Sequence, residues 1–184
     1  MLIRTAQVMD VPKIHAINRA AFDSATEADI VDVLRSGAEG VISLVAEEDG
    51  EIVGHIMFSP VQLTGAADVR AMALAPMAVT PERQRAGIGS ALVRAGLEEC
   101  QRLGIGAVFV VGHPTYYPRF GFKSASSVAF VCEFEVPDEA FMVAELVAGV
   151  LDGKTGTVHF HPAFKEASRF NPSRAFPPTS AVCR

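Results

Sequence analysis

Apolar residues recur at two different spacings along the first half of the chain, and each spacing predicts one kind of element. Between residues 11 and 37 they return every three or four positions, which is typical of helices with one buried face. Val and Ile dominate the runs 41–46 and 52–63, and small and large apolar residues alternate over 69–79. These three runs predict strands, as does the short segment 2–5.

The second half begins with the clearest helical pattern of the sequence. Over 87–103 the apolar residues follow one face and the charged residues the other, and Gly104 is suited to ending the helix. The continuous apolar run 107–111 then predicts a strand that is buried on both faces. Further alternating segments predict strands at 128–136, 141–147 and 157–161.

Pro76 lies inside the predicted strand 69–79. Proline has no backbone N–H and so cannot donate a hydrogen bond to a neighbouring strand. Inside a sheet it is found at edges and bulges. We therefore expect a bulge, or a local separation of strands, at Pro76.

Composition and charge favour a globular domain and argue against two classes of partner. Hydrophobic residues make up 49% and charged residues 20%, and the net charge of −5 leaves no basic excess for a nucleic acid. The uncharged run 103–118 is too short and too rich in Gly and Pro to span a membrane. The first residues do not resemble a secretory signal, so the expected location is the cytoplasm.

Cysteine usage and the C-terminal composition complete this outline. Cys100, Cys132 and Cys183 are odd in number and widely spaced, which favours free thiols over disulfides or a zinc site. Pro, Ser and Arg are frequent near the C-terminus. We expect one domain over residues 1–167 and a loosely ordered tail over 168–184.

The segment between the strand 69–79 and the helix 87–103 carries the most informative chemistry. It contains Gln84, Arg85, Gly87 and Gly89 immediately before and within the start of the helix. Helix N-termini present unpaired backbone N–H groups and partial positive charge, and they bind phosphates. Glycine lets the backbone approach an anion closely. The alternative interpretation is that the glycines only shape the turn.

Other ligand sites are less consistent with the sequence. A dinucleotide-binding fingerprint needs a third glycine where Leu92 stands. Gly153-Lys154-Thr155 is followed by a predicted strand, whereas a phosphate-binding P-loop requires a helix there. His159 and His161 share one face of a strand, but no third metal ligand is evident nearby. We therefore expect no metal.

Two ordered motifs together resemble one family. Q-x-x-G-x-G at 84–89 follows LAPMAV, and YYPRFGF at 116–122 follows the next predicted strand. The combination resembles the GNAT acetyltransferases, in particular the YhbS-like branch, over residues 2–122. This resemblance implies a single α/β (α+β) domain with a mostly antiparallel mixed sheet and helices on both faces. It also implies central strands that separate to form a slot for acetyl-CoA.

The resemblance assigns roles to individual positions. Acetyl-CoA is the implied acetyl donor, and its pantetheine arm pairs with the strand edge at Met77, Ala78 and Val79. The Met77 N–H is the implied donor to the oxyanion. The implied pyrophosphate contacts are Gln84 and the backbone of Arg85, Ala86, Gly87, Ile88, Gly89 and Ser90.

The tyrosines and one histidine complete the implied catalytic residues. Tyr117 lies four residues before Gly121, where the family has its general acid, and Tyr116 is the competing choice. Both are expected to contact the cofactor. The general base is left open. His113 is a candidate because a histidine titrates near neutral pH, although it equally fits a packing role in its loop.

The expected acceptor is a small-molecule amine. Asp23, Glu27 and Asp29 either attract its cation or only favour the helix dipole. Two alternatives stay open at this point: a non-catalytic CoA-binding sensor, and acetylation of a protein N-terminus or lysine. A homodimer is also left open.

Overall fold

The sheet is built from the strands that the apolar runs predict, as seen in the computed structural model, which describes residues 1–22 and 25–165. The helices in these ranges are α1 (Val11–Phe22), α2 (Thr26–Gly37) and α3 (Ile88–Arg102). The strands are β1 (Leu2–Thr5), β2 (Ile42–Glu48), β3 (Glu51–Leu63), β4 (Ala71–Val79), β5 (Ala107–Val111), β6 (Lys123–Ser124), β7 (Phe130–Cys132), β8 (Phe141–Glu145) and β9 (Gly156–His159).

The strand order is β1-β2-β3-β4-β5-β8-β6, with β9 pairing with β3 and β7 beside this path. Within the main path only β4 and β5 run parallel, because α3 crosses over between them. A hairpin joins β2 to β3 through Asp49 and Gly50, which both have positive φ as a tight hairpin turn requires. The mostly antiparallel mixed sheet is therefore confirmed.

Apolar side chains cover both faces of this sheet. On one face, which we call the α1/α2 face, Ile14 and Val31 pack in a cluster with Phe109. On the other, the α3 face, Leu92 and Val93 pack in a second cluster. The continuous apolar run of β5 is explained by its position between these two clusters, where four of its five residues are buried.

The two central strands separate partway along their length, as Pro76 predicts. Only residues 71–73 of β4 pair with β5, and their partners are residues 107–109. The pairing of β4 with β3 shifts register between Ile56 and Phe58, opposite the segment that contains Pro76. We call the gap between β4 residues 74–79 and the end of β5 the slot.

Two expectations differ from the structure or fall outside it. The strand predicted at 128–136 is wrong in extent: β7 covers three residues, because Ala129 has a positive φ of 59° and the chain bends again after Cys132. The predicted tail at 168–184 lies outside the described residues. Among the described residues, no helix is long and apolar enough to cross a membrane.

Candidate active site

The loop before α3 contains two residues in the left-handed backbone conformation. Arg85 has φ of 64° and Gly87, at the N-cap of α3, has φ of 86°. The Gln84 side chain fastens the start of this loop by donating a hydrogen bond from Nε2 to the Val79 carbonyl oxygen at 3.2 Å. The first helical hydrogen bond runs from the Ala91 N–H to the Gly87 oxygen. The preceding amides of the first turn therefore have no acceptor within the helix.

Gly89 lies where the start of α3 meets the slot. A Cβ atom at this position would lie 3.1 Å from the Tyr116 hydroxyl oxygen and 3.5 Å from Cε of Met77. The Met77 side chain is buried on the α3 face, directly beneath this first turn. The glycine thus allows the helix, β4 and the tyrosine segment to meet closely.

These elements surround a cleft of about 380 Å³. Within the described residues its lining contains three arginines and no carboxylate, although Arg83 also lies 3.4 Å from Glu48. The cleft is therefore suited to an anion. We call it the cofactor cleft, and its lining residues are Val79, Arg83, Gln84, Arg85, Gly87, Ile88, Gly89, Ser90, His113, Thr115, Tyr116 and Arg119.

Most of the predicted site residues lie in this lining, and four do not. Met77, Ala78, Ala86 and Tyr117 fall outside it, the first two because they belong to the slot beside the cleft. Three lining residues were not predicted: Arg83, Thr115 and Arg119. Arg119 stands inside the YYPRFGF motif, so its position next to the tyrosines was the signal that could have identified it.

The two tyrosines have different surroundings. The Tyr116 hydroxyl oxygen is 3.4 Å from Ser90 Oγ, and the Arg119 guanidinium carbon lies 4.8 Å from the centre of the Tyr116 ring. The Tyr117 ring is 5% exposed and packs edge-on against Phe122. A side chain at Gly112, which follows β5, would overlap the Tyr117 ring. Tyr116 therefore faces the cofactor cleft, while Tyr117 belongs to the buried cluster of the α3 face.

His113 holds the turn that carries both tyrosines. Its carbonyl oxygen accepts hydrogen bonds from the Tyr116 and Tyr117 amides at 3.0 and 3.4 Å. Its Nε2 atom is buried without a hydrogen-bond partner among the described residues. Burial also lowers the pKa of His113 from its ordinary value. The imidazole at the edge of the cleft is thus neutral at pH 7, and no other described residue hydrogen-bonds to its Nε2 atom.

His55 and His159 have hydrogen-bond partners within the fold. His55 is completely buried between Asn18 Nδ2, at 3.1 Å from Nδ1, and Ser43 Oγ, at 3.0 Å from Nε2. His159 contacts Thr64 and Glu133 at 2.9 and 3.3 Å. In residues 1–22 and 25–165, no group of three or more His, Cys, Asp or Glu side chains is placed to hold a metal ion.

Two further sequence features have structural partners. Lys154, in the segment that superficially matches a P-loop, pairs with Asp68 at 3.0 Å and precedes β9. Of the acidic residues near the first helices, Glu27 is buried in the first turn of α2 and Asp29 is exposed there, whereas Asp23 lies outside the described residues. Neither Glu27, Asp29 nor Lys154 lines the cofactor cleft.

Comparison with known proteins agrees with this geometry. Residues 2–125 match the acetyltransferase (GNAT) domain. The Escherichia coli K12 protein named uncharacterized N-acetyltransferase YhbS is 36% identical over 165 residues, which cover 89% of this chain and 98% of that protein. YjhQ, an uncharacterized N-acetyltransferase of the same organism, is 39% identical over 134 residues, or 71% of this chain and 74% of that protein.

Two solved structures are similar over most of their length. The E. coli YhbS structure in complex with CoA superimposes with a TM-score of 0.84 at 36% identity, covering 89% of this chain and 91% of that one. A GNAT family acetyltransferase from Brucella melitensis, in complex with acetyl-CoA, gives a TM-score of 0.74 at 36% identity, covering 89% and 97%.

Proposed function

We propose that this chain, which belongs to the GNAT acetyltransferase family, transfers the acetyl group of acetyl-CoA directly to the amine of a small molecule. Family membership makes the chain an N-acetyltransferase. The proposal concerns the acceptor, the position of the cofactor and the residues that act. The observation that carries it is the cofactor cleft, which joins the unpaired amides at the start of α3 to the open edge of β4 in the slot.

In the proposed complex the pyrophosphate of acetyl-CoA lies against the backbone between Arg85 and Ser90. This position is supported by the two left-handed residues of the loop and by the arginine-rich lining. The pantetheine arm continues along Met77, Ala78 and Val79, pairing with β4 in place of the strand partner that β5 does not provide there. CoA and acetyl-CoA are the ligands of the two similar structures.

The transfer forms one bond and breaks one. The nitrogen of a neutral amine attacks the thioester carbonyl carbon, and the Met77 N–H donates a hydrogen bond to the oxyanion that develops. The carbon–sulfur bond then breaks. The leaving thiolate takes a proton from the Tyr117 hydroxyl, and the nitrogen gives a proton to the base. Proton exchange with solvent then restores both side chains, so that the net products are an N-acetyl amide and the CoA thiol.

Tyr117 is the proposed general acid and Tyr116 the proposed cofactor contact. The buried Tyr117 ring is held against Gly112 at the end of β5, beside the slot where the thioester sulfur would lie. The Tyr116 hydroxyl is instead directed to Ser90 at the phosphate end of the cleft.

His113 is the proposed base, acting directly or through a water molecule. Its lowered pKa keeps the imidazole neutral at pH 7, and its Nε2 atom has no competing partner in the described part of the chain. The acidic limb of kcat/KM should then lie below the ordinary histidine pKa, because His113 binds a proton only at lower pH.

A cytoplasmic location is part of the proposal. The cysteines of the described residues, Cys100 and Cys132, are both free thiols, as proteins of a reducing compartment have. The homodimer stays a prediction.

Thermal stability and thiol release test this function. Acetyl-CoA at about a hundred times its Kd should stabilise the protein by about 2.7 kcal/mol, whereas NAD and ATP should not. Release of the CoA thiol should then require an amine in a screen of small amines, polyamines, amino acids and peptides. Equal stabilisation by ATP, or thiol release with peptides alone, would contradict the proposal.

A further inference from the structure

A second cavity, of about 170 Å³, lies on the opposite face of the sheet from the cofactor cleft. Phe130 and Phe141 line it, and both belong to the cluster of the α1/α2 face, whereas the cleft borders residues of the α3 face. We call it the acid-rimmed cavity. Its lining is Phe130, Val131, Cys132, Phe134, Glu135, Val136, Asp138 and Phe141.

The acid-rimmed cavity is one strand away from the slot. Phe141, in its wall, pairs directly with Val111, the last residue of β5, and β5 forms one side of the slot. The Phe141 ring also stacks on Phe109 of β5, with ring centres 5.7 Å apart. Neighbouring strands are about 4.8 Å apart, so the strand of Phe141 lies about that far from the strand that borders the slot, and an arm of about two or three carbon atoms is of similar length.

The chemistry of the lining is both aromatic and acidic. Three phenylalanine rings form the walls, and Glu135 and Asp138 contribute carboxylates. Asp138 is held in place by hydrogen bonds from Ser124 Oγ and Ser126 Oγ at 3.2 and 2.9 Å. For comparison, an apolar cavity of about 150 Å³ binds benzene. The volume therefore matches one aromatic ring, and the charge matches a cation.

We propose that the acid-rimmed cavity binds the acceptor and selects primary amines that carry an aromatic ring. The ring packs among the phenylalanines, and Glu135 and Asp138 attract the ammonium group before it loses its proton and attacks in the slot. This inference rests on the proposed function, since it assigns the acceptor of that same reaction.

Kinetics with matched amines provide the first test. Burial of a phenyl ring predicts that 2-phenylethylamine exceeds ethylamine in kcat/KM by about 10- to 100-fold. Equal kcat/KM for the two amines, with acetyl-CoA still stabilising the protein, would overturn the inference and leave the proposed function intact. No stabilisation by acetyl-CoA would instead contradict the function itself.

Matched substitutions separate the cavity from its surroundings. Val136→Phe fills the cavity and should raise KM for 2-phenylethylamine about tenfold or more, while Val147→Phe alters an exposed valine outside the lining and should not. Glu135→Gln should raise the same KM, whereas Glu139→Gln, next to Asp138 but outside the lining, should leave it unchanged. If neither cavity variant changes KM, the amine binds elsewhere.

Alkylation of Cys132 tests binding without turnover. This thiol lines the cavity and is partly exposed, and the fully buried Cys100 is an internal reference. With CoA bound, 2-phenylethylamine should slow the reaction of Cys132 with N-ethylmaleimide, measured by peptide mass spectrometry, more than the uncharged 2-phenylethanol does. Glu135→Gln should reduce that difference. Absence of protection by the amine would overturn the inference even if the variants of the previous test lost activity.

Discussion

The cofactor cleft and the acid-rimmed cavity lie on opposite faces of one sheet and differ in how they are built. The cleft consists of backbone amides at the start of α3, supplemented by three arginines. The cavity consists of phenylalanine rings, two of them on β7 and β8, and of two carboxylates from the chain between these strands. The first is suited to an anion such as the CoA of the two similar structures, and the second to a cation with an apolar body.

The two sites also differ in what a substitution can change. Backbone amides are present whatever the side chain, so only a change of conformation or an intruding atom removes the binding site of the cleft. The specificity of the cavity depends on side-chain identity at each position. Substitutions in the cleft should therefore affect CoA itself, and substitutions in the cavity should affect only the choice of amine.

The largest expected effect is loss of CoA binding in Gly89→Asp. The new side chain meets the Tyr116 hydroxyl and Met77 Cε, and its negative charge lies where the pyrophosphate is proposed. Acetyl-CoA should no longer raise the melting temperature, and calorimetry should detect no binding. Gly89→Ala adds the Cβ without the charge and should weaken binding less. Unchanged affinity in a folded Gly89→Asp protein would mean that the loop is only a turn.

Tyr117→Phe should lower kcat by about a hundredfold. Removal of the hydroxyl leaves the buried ring against Gly112 and Phe122, so stability and the Kd for acetyl-CoA should change little, while general-acid catalysis is lost. Tyr116→Phe is the matched control and should change kcat much less. A wild-type rate for Tyr117→Phe with a turned-over amine would assign the proton to Tyr116 or to water.

The contrast between the two sites explains how far the sequence could predict this protein. The strands, α3 and the bulge at Pro76 follow from periodicity and from the missing N–H, which act locally. The phosphate loop is also local, because glycine spacing sets its backbone conformation. The acid-rimmed cavity is not: Phe130 and Phe141 meet only after β8 has paired with β5, and no local pattern records that contact. Because the local pattern does not contain that contact, it predicts one long strand over 128–136 instead of the short β7.

Arg119→Ala should weaken CoA binding about tenfold. Its guanidinium lines the cleft above the Tyr116 ring, and loss of one charge-assisted contact to a phosphate costs roughly 1.5 kcal/mol at an exposed site. Arg94→Ala is the matched control, because Arg94 lies 5.3 Å from the Phe120 ring in the same segment but outside the cleft lining. Arg119→Lys should retain part of the affinity. The loss of CoA affinity caused by Arg119→Ala should be smaller at high salt, since the contact between Arg119 and the phosphate is exposed.

Equal losses of CoA affinity in Arg94→Ala and Arg119→Ala would show that both arginines act by holding the Tyr116–Phe120 segment in place. In that case the phosphates receive no direct contribution from Arg119.

The smallest expected effect is a change in stability alone. Its source is His55, the buried histidine on the α1/α2 face. Burial lowers the pKa of His55 from 6.5 to about 3. The unfolded chain therefore binds a proton near pH 6.5 while the folded chain does not, so stability that is complete above pH 6.5 decreases as the pH falls toward 3. Between pH 7.5 and 5.5 this histidine should cost about 1.4 kcal/mol in the free energy of unfolding.

Urea unfolding at pH 7.5 and 5.5 measures this loss. His55→Gln, although less stable at both values because the hydrogen bonds to Asn18 and Ser43 change, should show a smaller decrease between them. His113→Gln removes the other histidine with a lowered pKa and tests whether the cofactor cleft contributes to the same decrease. If the acid sensitivity of His55→Gln equals that of the wild type, the buried histidine of the α1/α2 face is not its source.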